Sequence, residues 1–490
     1  MKSFYDRLPW VLVNYLLIII PFFFVSILPI VDLPQHIDQV RLLFEVLHHN
    51  TNEYVIVWNT PYSLIYLIMI PFYLIFSPLV AAKATIALIA LFWVLTIHVI
   101  SAVRGNSLFA TILASLLFFN VAFYWGLLQF ITGVPLLLLW FLLVDKNRNN
   151  RRLPLTQMPL FFLMSILLYF SHVLIFITAL LWFAFVILRS KPDLRYIWTR
   201  VITLIPAFVV LLIWYPSFRA SGFDSETKYG QLPTERLNLG YLVDNTFGGF
   251  KGPLELIFLL LIIAWITVGI IQSRKSSIKP FDKELVFFGI FCGILALSLP
   301  NLYTHSLLFS NRWLFVMFTA FLLASPKMEL KSKIITSPAV AILFAALFTI
   351  TTGFNWSIFE RDNLKTLTAA IDTLPRNQKV ISLNFLSTDE RYKPPFIHAG
   401  IYAAIQKNAS LNFSFTQFGT ALVQNKDRRF AKWTPGLEWF PFKVTNNDFK
   451  YFDYALINGT KDLHKMVQKK FPLIPVTNAT GWNLYLIEDN

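Results

Sequence analysis

The run Asp32-Leu33-Pro34-Gln35-His36-Ile37-Asp38 sets a carboxylate directly after about two dozen almost wholly uncharged residues, Leu8 to Val31. Ionisable groups are costly inside a bilayer and mark functional positions when they occur near one. A carboxylate where hydrocarbon meets water is poorly placed for packing. It is well placed to act as a base on a substrate carried in the lipid. The same Asp32 also reads as the N-terminal cap of a helix opening at Pro34, since Asp before a first-turn Pro is a common helix start. Both readings stand at this level. Other polar groups sit near the ends of apolar stretches: His36, His172 in Tyr169-Phe170-Ser171-His172, His305, Arg312 in Asn311-Arg312-Trp313, and Trp125 after Phe123-Tyr124. Each has a plainer alternative. Arg312 serves as an interfacial anchor beside Trp313, His172 satisfies broken backbone, His305 is a loop residue, and Trp125 belongs to an aromatic belt.

The elements that must position these groups are membrane elements. Of the 490 residues 56% are hydrophobic and 14% charged, with a mean hydropathy of +0.58. Soluble domains carry roughly 25% charged residues, so the composition predicts a polytopic α-helical membrane protein. The net charge of +15 comes from short Lys/Arg clusters between apolar runs, which mark cytoplasmic loops. No nucleic-acid-binding signature accompanies it, so no nucleic-acid partner is expected. The single cysteine, Cys292, excludes an internal disulfide and a cysteine-cluster metal site.

Loop charge predicts the topology. Lys2 and Arg7 hold the N-terminus inside, so Asp32 emerges outside, and the basic loop 145–152 must be cytoplasmic. Four apolar stretches lie between (61–77, 80–103, 107–124 and 127–144), and four crossings would leave that loop on the wrong side. The stretch 61–77, short and carrying Pro61 and Pro71, is therefore read as an interfacial helix. Residues 157–188 form two short spans hinged at Ser171-His172. About 11 transmembrane helices result, with outer loops at 32–79 and 216–252. On a helix from Pro34, Ile37, Val40, Leu43, Phe44 and Leu47 make one apolar face suited to the membrane surface. Asp224, Glu226, Lys228, Glu235 and Arg236 are read as a solvated part of the second loop, and His98 as a bundle-facing hydrogen-bonding residue. The division is a transmembrane domain over 1–354 and a small extracytoplasmic α/β domain over 355–490. In that tail 379–385, 451–457 and 482–488 read as strands, and 362–374, 397–407 and 460–471 as helices.

This layout resembles the GT-C glycosyltransferases: a first span, an Asp just outside it, interfacial helices in the first outer loop, many spans and an outer C-terminal domain. The Asp-x-Pro-x-His run is similar to a variant in their bacterial members, and Phe123 to Phe130, Tyr169 to His172 and Asn311 to Trp313 look similar too. The chain departs from two branches. No Asp-x-Asp pair follows the first span, and Trp58-Asn59-Thr60-Pro61-Tyr62 stands where some branches carry Lys-Pro-Pro.

The resemblance implies an inverting transfer from a sugar on a polyprenyl phosphate to a glycan, lipid or protein hydroxyl at the outer face of the plasma (inner) membrane. Asp32 would be the base. His36 would orient Asp32 or contact donor phosphate, His172 and Arg312 would contact that phosphate, as would His305 by its place at the outer end of a span, and Trp125 would be a sugar-stacking platform. No cofactor or metal is expected. The competing readings are a multi-pass transporter or flippase, and a polysaccharide polymerase or ligase. Against the first, the spans carry almost no Asp or Glu and show no internal repeat.

Overall fold

The computed structural model describes residues 5–190, 193–219, 227–274, 280–303, 306–328, 337–427 and 431–488. By contacts the chain forms two compact units. One holds Met1–Phe23, Asn59–Ile65 and Ala84–Gly353; the other holds Phe24–Trp58, Tyr66–Lys83 and Phe354–Asn490.

The first unit is helical. Six helices among the described residues are long and apolar enough to cross a membrane: Pro78–Arg104, Leu108–Trp125, Leu128–Asn147, Leu194–Pro216, Pro253–Ser273 and Pro338–Thr373, of which the first and last continue into the second unit. Five shorter apolar helices accompany them, so the expected eleven crossings are not all met by helices of spanning length. Leu64–Ile75, in the stretch expected to be interfacial, has 12 residues, about 18 Å against a hydrocarbon core of roughly 30 Å, and from Tyr66 on it belongs to the second unit. The first apolar run is shorter than expected. It is helical over Leu8–Phe23 only. Pro21 and Pro29 carry no N–H.

Proline and glycine placement shapes the rest of this unit. Asn120 interrupts the Leu108–Trp125 rod: its side chain accepts from Phe123 N at 3.1 Å and donates to the Leu117 and Phe118 carbonyls. Gly126, at φ 82°, ends that rod. A Cβ on Gly133 would lie 2.8 Å from Ser171 Oγ and 2.9 Å from Ile175 Cγ1. Glycine there lets the Leu128–Asn147 helix approach the hinge between Met158–Ser171 and Val173–Arg189. The basic loops are held by ion pairs, Arg104 to Asp145 at 2.5 Å and Asp282 at 3.4 Å, and Arg189 to Glu284 at 3.0 Å. His98, read as bundle-facing, meets Asn14 at 3.3 Å.

The second unit carries a five-stranded sheet. Lys379–Asn384 (β4) lies between Ser410–Leu411 (β5) and Tyr454–Gly459 (β7), parallel to both. Beyond β7, Gly481–Ile487 (β9) and then Leu473–Pro475 (β8) pair antiparallel. Ile381, Leu383, Ala455, Ile457, Val467, Phe471 and Tyr485 build its core, burying apolar surface at roughly 25 cal/mol per Å². The numbering of these strands counts Tyr54–Ile56 (β1), Thr227–Lys228 (β2), Leu302–Tyr303 (β3) and Val423–Asn425 (β6).

Part of the stretch expected to form the first outer loop belongs to this unit, which its polar composition conceals. β1 pairs antiparallel with β6. The Leu33–Leu47 helix is buried on every side from Leu33 to Val40, Gln35, His36, Asp38 and Gln39 included. It is therefore not a surface helix with one wet face. Its polar side chains bond the tail backbone instead: Gln35 Oε1 accepts from Phe415 N at 3.0 Å, and Gln39 both donates to and accepts from Val423, at 3.2 and 2.9 Å.

Candidate functional site

The second unit fixes Asp32 from both directions. Upstream, the Glu360 carboxylate accepts from Ser26 N at 2.8 Å and Ile27 N at 2.8 Å, and Tyr392 Oη donates to the Pro29 carbonyl at 2.5 Å. Those bonds supply partners to backbone that a continuous helix would have satisfied by itself. Downstream, the Leu33–Leu47 helix begins, with Asp32 at the N-cap position, yet its side chain makes no capping bond. The carboxylate turns instead to His398, whose Nδ1 lies 2.9 Å from Asp32 Oδ1. The Asp32 side chain is 16% exposed and that of His398 only 6%. None of the described hydrogen bonds reaches Oδ2. The cap reading of Asp32 is thus set aside by geometry: the residue has the cap's position without the cap's bond.

His398 is held by aromatic packing. Its ring stacks on Phe413, with centroids 5.1 Å apart, and meets Phe415 edge-on at 5.6 Å. Nε2 is buried without a hydrogen-bond partner, and the residue lines a narrow cleft together with Ser382, Gly400, Asn412 and Glu438. The sequence reading missed this residue, because an imidazole 366 positions from its partner leaves no local spacing signal. His36, expected to orient Asp32 or contact phosphate, is buried, lies 3.1 Å from Tyr66 Oη and packs edge-on against Phe415. Two residues on, Asp38 pairs with Arg41 at 2.8 Å. Burial pushes the Asp38 carboxyl above its ordinary range, against the opposing pull of Arg41.

The first unit brings His172 and Arg312 together. His172 is extended (φ −171°, ψ 130°) and separates the two short helices, the hinge expected at Ser171-His172. Its Nδ1 accepts from Leu174 N at 3.0 Å. An imidazole that accepts at Nδ1 is neutral and carries its hydrogen on Nε2. That Nε2 lies 3.4 Å from Arg312 Nη1, which can only donate. Two donors therefore lie side by side, a pairing whose type suits an oxygen acceptor. Tyr62 meets the His172 ring edge-on at 4.8 Å, and the Arg312 guanidinium sits 5.2 Å from the Phe130 ring centroid.

The remaining nitrogens of Arg312 have a structural task. Nε donates to the Leu308 carbonyl at 3.0 Å and Nη2 to Ser306 Oγ at 3.1 Å, with a further bond to the Leu307 carbonyl. Leu308 has φ 55°, so Arg312 ties down a turn that its backbone would not favour alone. Arg312 is fully buried, which does not suit an anchor in the membrane interface. Trp125 is partly buried at the end of the Val121–Trp125 turn. His305, Asp224 and Glu226 lie outside the described residues. Arg236, read as solvated, is buried and donates to the carbonyls of Tyr229, Gln231, Ala296, Leu297 and Leu299. An unmatched run of carbonyls recruits a guanidinium as readily as a carboxylate does.

No family model and no curated protein sequence matches this chain. Its fold is similar to that of the crystal structure of ArnT from Cupriavidus metallidurans bound to undecaprenyl phosphate, with a TM-score of 0.57, 98% of each chain covered and 9% sequence identity. At that identity the likeness is one of fold.

Proposed function

We propose that this chain is an integral membrane glycosyltransferase of GT-C type, moving a sugar from a polyprenyl-phosphate donor to an acceptor hydroxyl at the outer face of the membrane with inversion. The observation that carries the reading is Asp32: a carboxylate at a helix start, relieved of capping, held through one oxygen and open at the other. Inverting transfer needs one base. Asp32 Oδ2 takes the acceptor proton while the acceptor oxygen attacks the anomeric carbon. The sugar–phosphate C–O bond breaks and its electron pair leaves on the phosphate oxygen, which needs no added proton.

The leaving phosphate does need donors for its developing charge. His172 Nε2–H and Arg312 Nη1–H are of the right type, since both are N–H donors and their nitrogens lie 3.4 Å apart. The solved structure of similar fold holds undecaprenyl phosphate, which supports a polyprenyl-phosphate carrier for the donor here. Transfer in this scheme needs no divalent metal, so full activity in excess chelator is expected.

The test uses the full chain reconstituted in vesicles with polyprenyl-phosphate sugars of several kinds, paired with glycan and lipid profiling of cells with and without the gene. Loss of one sugar from one conjugate supports the reading. Unchanged glycans with altered solute uptake would overturn it in favour of transport.

A further inference from the structure

The Asp32–His398 bond joins the start of the first outer loop to a segment that no sequence motif marked, and it deepens the reading of Asp32 as a base, on which it rests. An ionised carboxylate can only accept, so the hydrogen of a neutral His398 lies on Nδ1 and is donated to Asp32 Oδ1. This leaves Nε2 as a bare acceptor, buried and without a hydrogen-bond partner, in a residue that lines a cleft with Ser382, Asn412 and Glu438. A ring that only filled space would not need its polar edge turned to the one acid at the helix start. Nor would it remain nine-tenths buried with one nitrogen unmatched, since such a group costs about 1–3 kcal/mol.

We infer that His398 is the positioning residue of Asp32: its Nδ1–H pins Oδ1, keeps the carboxylate from folding back onto the helix N–H groups, and thereby presents Oδ2 to the acceptor hydroxyl. The proton that leaves the acceptor bonds to Oδ2, the Oδ1···H–Nδ1 bond stays in place, and no other bond to His398 forms or breaks. Phe413 and Phe415 fix the plane of the ring, so the direction of the bond is set before substrate arrives. Pre-set geometry of this kind acts on the chemical step rather than on binding.

Amide geometry provides the test. Asn places an N–H near the position of Nδ1, whereas Gln places one near Nε2. In the reconstituted full chain, with rates normalised to folded protein, H398A and H398Q should lose kcat about 30- to 100-fold with KM for the lipid donor within threefold. H398N should recover to within about fivefold of wild type. Equal losses in all three variants, or an H398A that keeps kcat within threefold, would overturn the inference. A second measurement needs neither activity nor a stable variant. In ¹⁵N-histidine-labelled wild type, His398 Nδ1 should give the resonance of a protonated ring nitrogen and Nε2 that of a bare one, and D32N should shift the first. A reversed tautomer in wild type refutes the inference even if sugar transfer is confirmed. Absence of transfer in wild type with the expected tautomer refutes the enzyme reading and not the bond.

Discussion

The Asp32 and Arg312 neighbourhoods are both buried and ionic, and they differ in which kind of partner they lack. Around Arg312 two donors are neighbours: the guanidinium and the Nε2–H of His172 lie 3.4 Å apart. Around Asp32 there is an excess of acceptors: carboxylate Oδ2 and imidazole Nε2 both lack a donor. Under the proposed function the Arg312 neighbourhood would meet an anion and that of Asp32 would take a proton. Buried charge is therefore a weak indicator by itself. Arg236 is as buried as Arg312, yet it serves the carbonyls of its own loop. The imbalance between donors and acceptors is the more informative quantity.

The comparison breaks most readily at Asp32. D32N keeps shape and removes the base, so initial rates of sugar transfer in vesicles should fall about 10²- to 10⁴-fold, with protein level and thermal unfolding near wild type. Rates equal to wild type would remove Asp32 from the mechanism. Next comes Arg312, whose two tasks predict a mixed phenotype. R312M should lower unfolding stability by about 2–4 kcal/mol, because the Leu307 and Leu308 carbonyls lose a charged donor, and donor use should weaken as well. A purely structural Arg312 would leave donor KM unchanged in the folded fraction.

His172 permits a finer separation. H172N retains an N-cap acceptor for Leu174 N and deletes the Nε2–H, so donor KM should rise about tenfold, worth roughly 1.4 kcal/mol, without loss of stability. Unchanged KM would assign His172 to capping alone. The smallest effect is expected at Asp38. Its carboxyl is raised above the ordinary 3.8 by burial despite Arg41, so the folded form binds its proton more tightly than the unfolded form. Its contribution is then fully present below the unfolded pKa and is lost as pH rises through the folded one. Thermal unfolding of D38N across that acidic range should show less of this decline than wild type.

Much of the architecture is legible in the amino-acid order. Apolar runs bounded by Lys/Arg and Pro mark the helices, the hinge at His172 follows from two basic flanks that must share a side, and alternation in the tail outlines β4, β7 and β9. The burial of Gln35 and Gln39 is not legible. Amides on the polar face of an amphipathic pattern imply water, and only the backbone of Phe415 and Val423 supplies the alternative. His398 is hidden for the same reason. Its meaning lies in one long-range bond, and a lone imidazole among Phe396, Ile397 and Ala399 carries no periodic signal. Short strands such as β5 and β8 are equally silent, being recruited by neighbours rather than by propensity.

The pairing of β1 with β6, and of Asp32 with His398, has a consequence for synthesis. Residues 24–58 leave the ribosome some 300 residues before the segment that completes their unit, and at about 5–20 residues per second that interval lasts from about 15 s to a minute. Throughout it the Gln35 and Gln39 amides and the edge of β1 have no native partner, so a nascent chain stalled before residue 398 would display an acid that nothing yet aims. The surroundings of the carboxylate are thus completed only once the segment carrying His398 and β6 has been made, and a product truncated before residue 398 would lack the Asp32 partner.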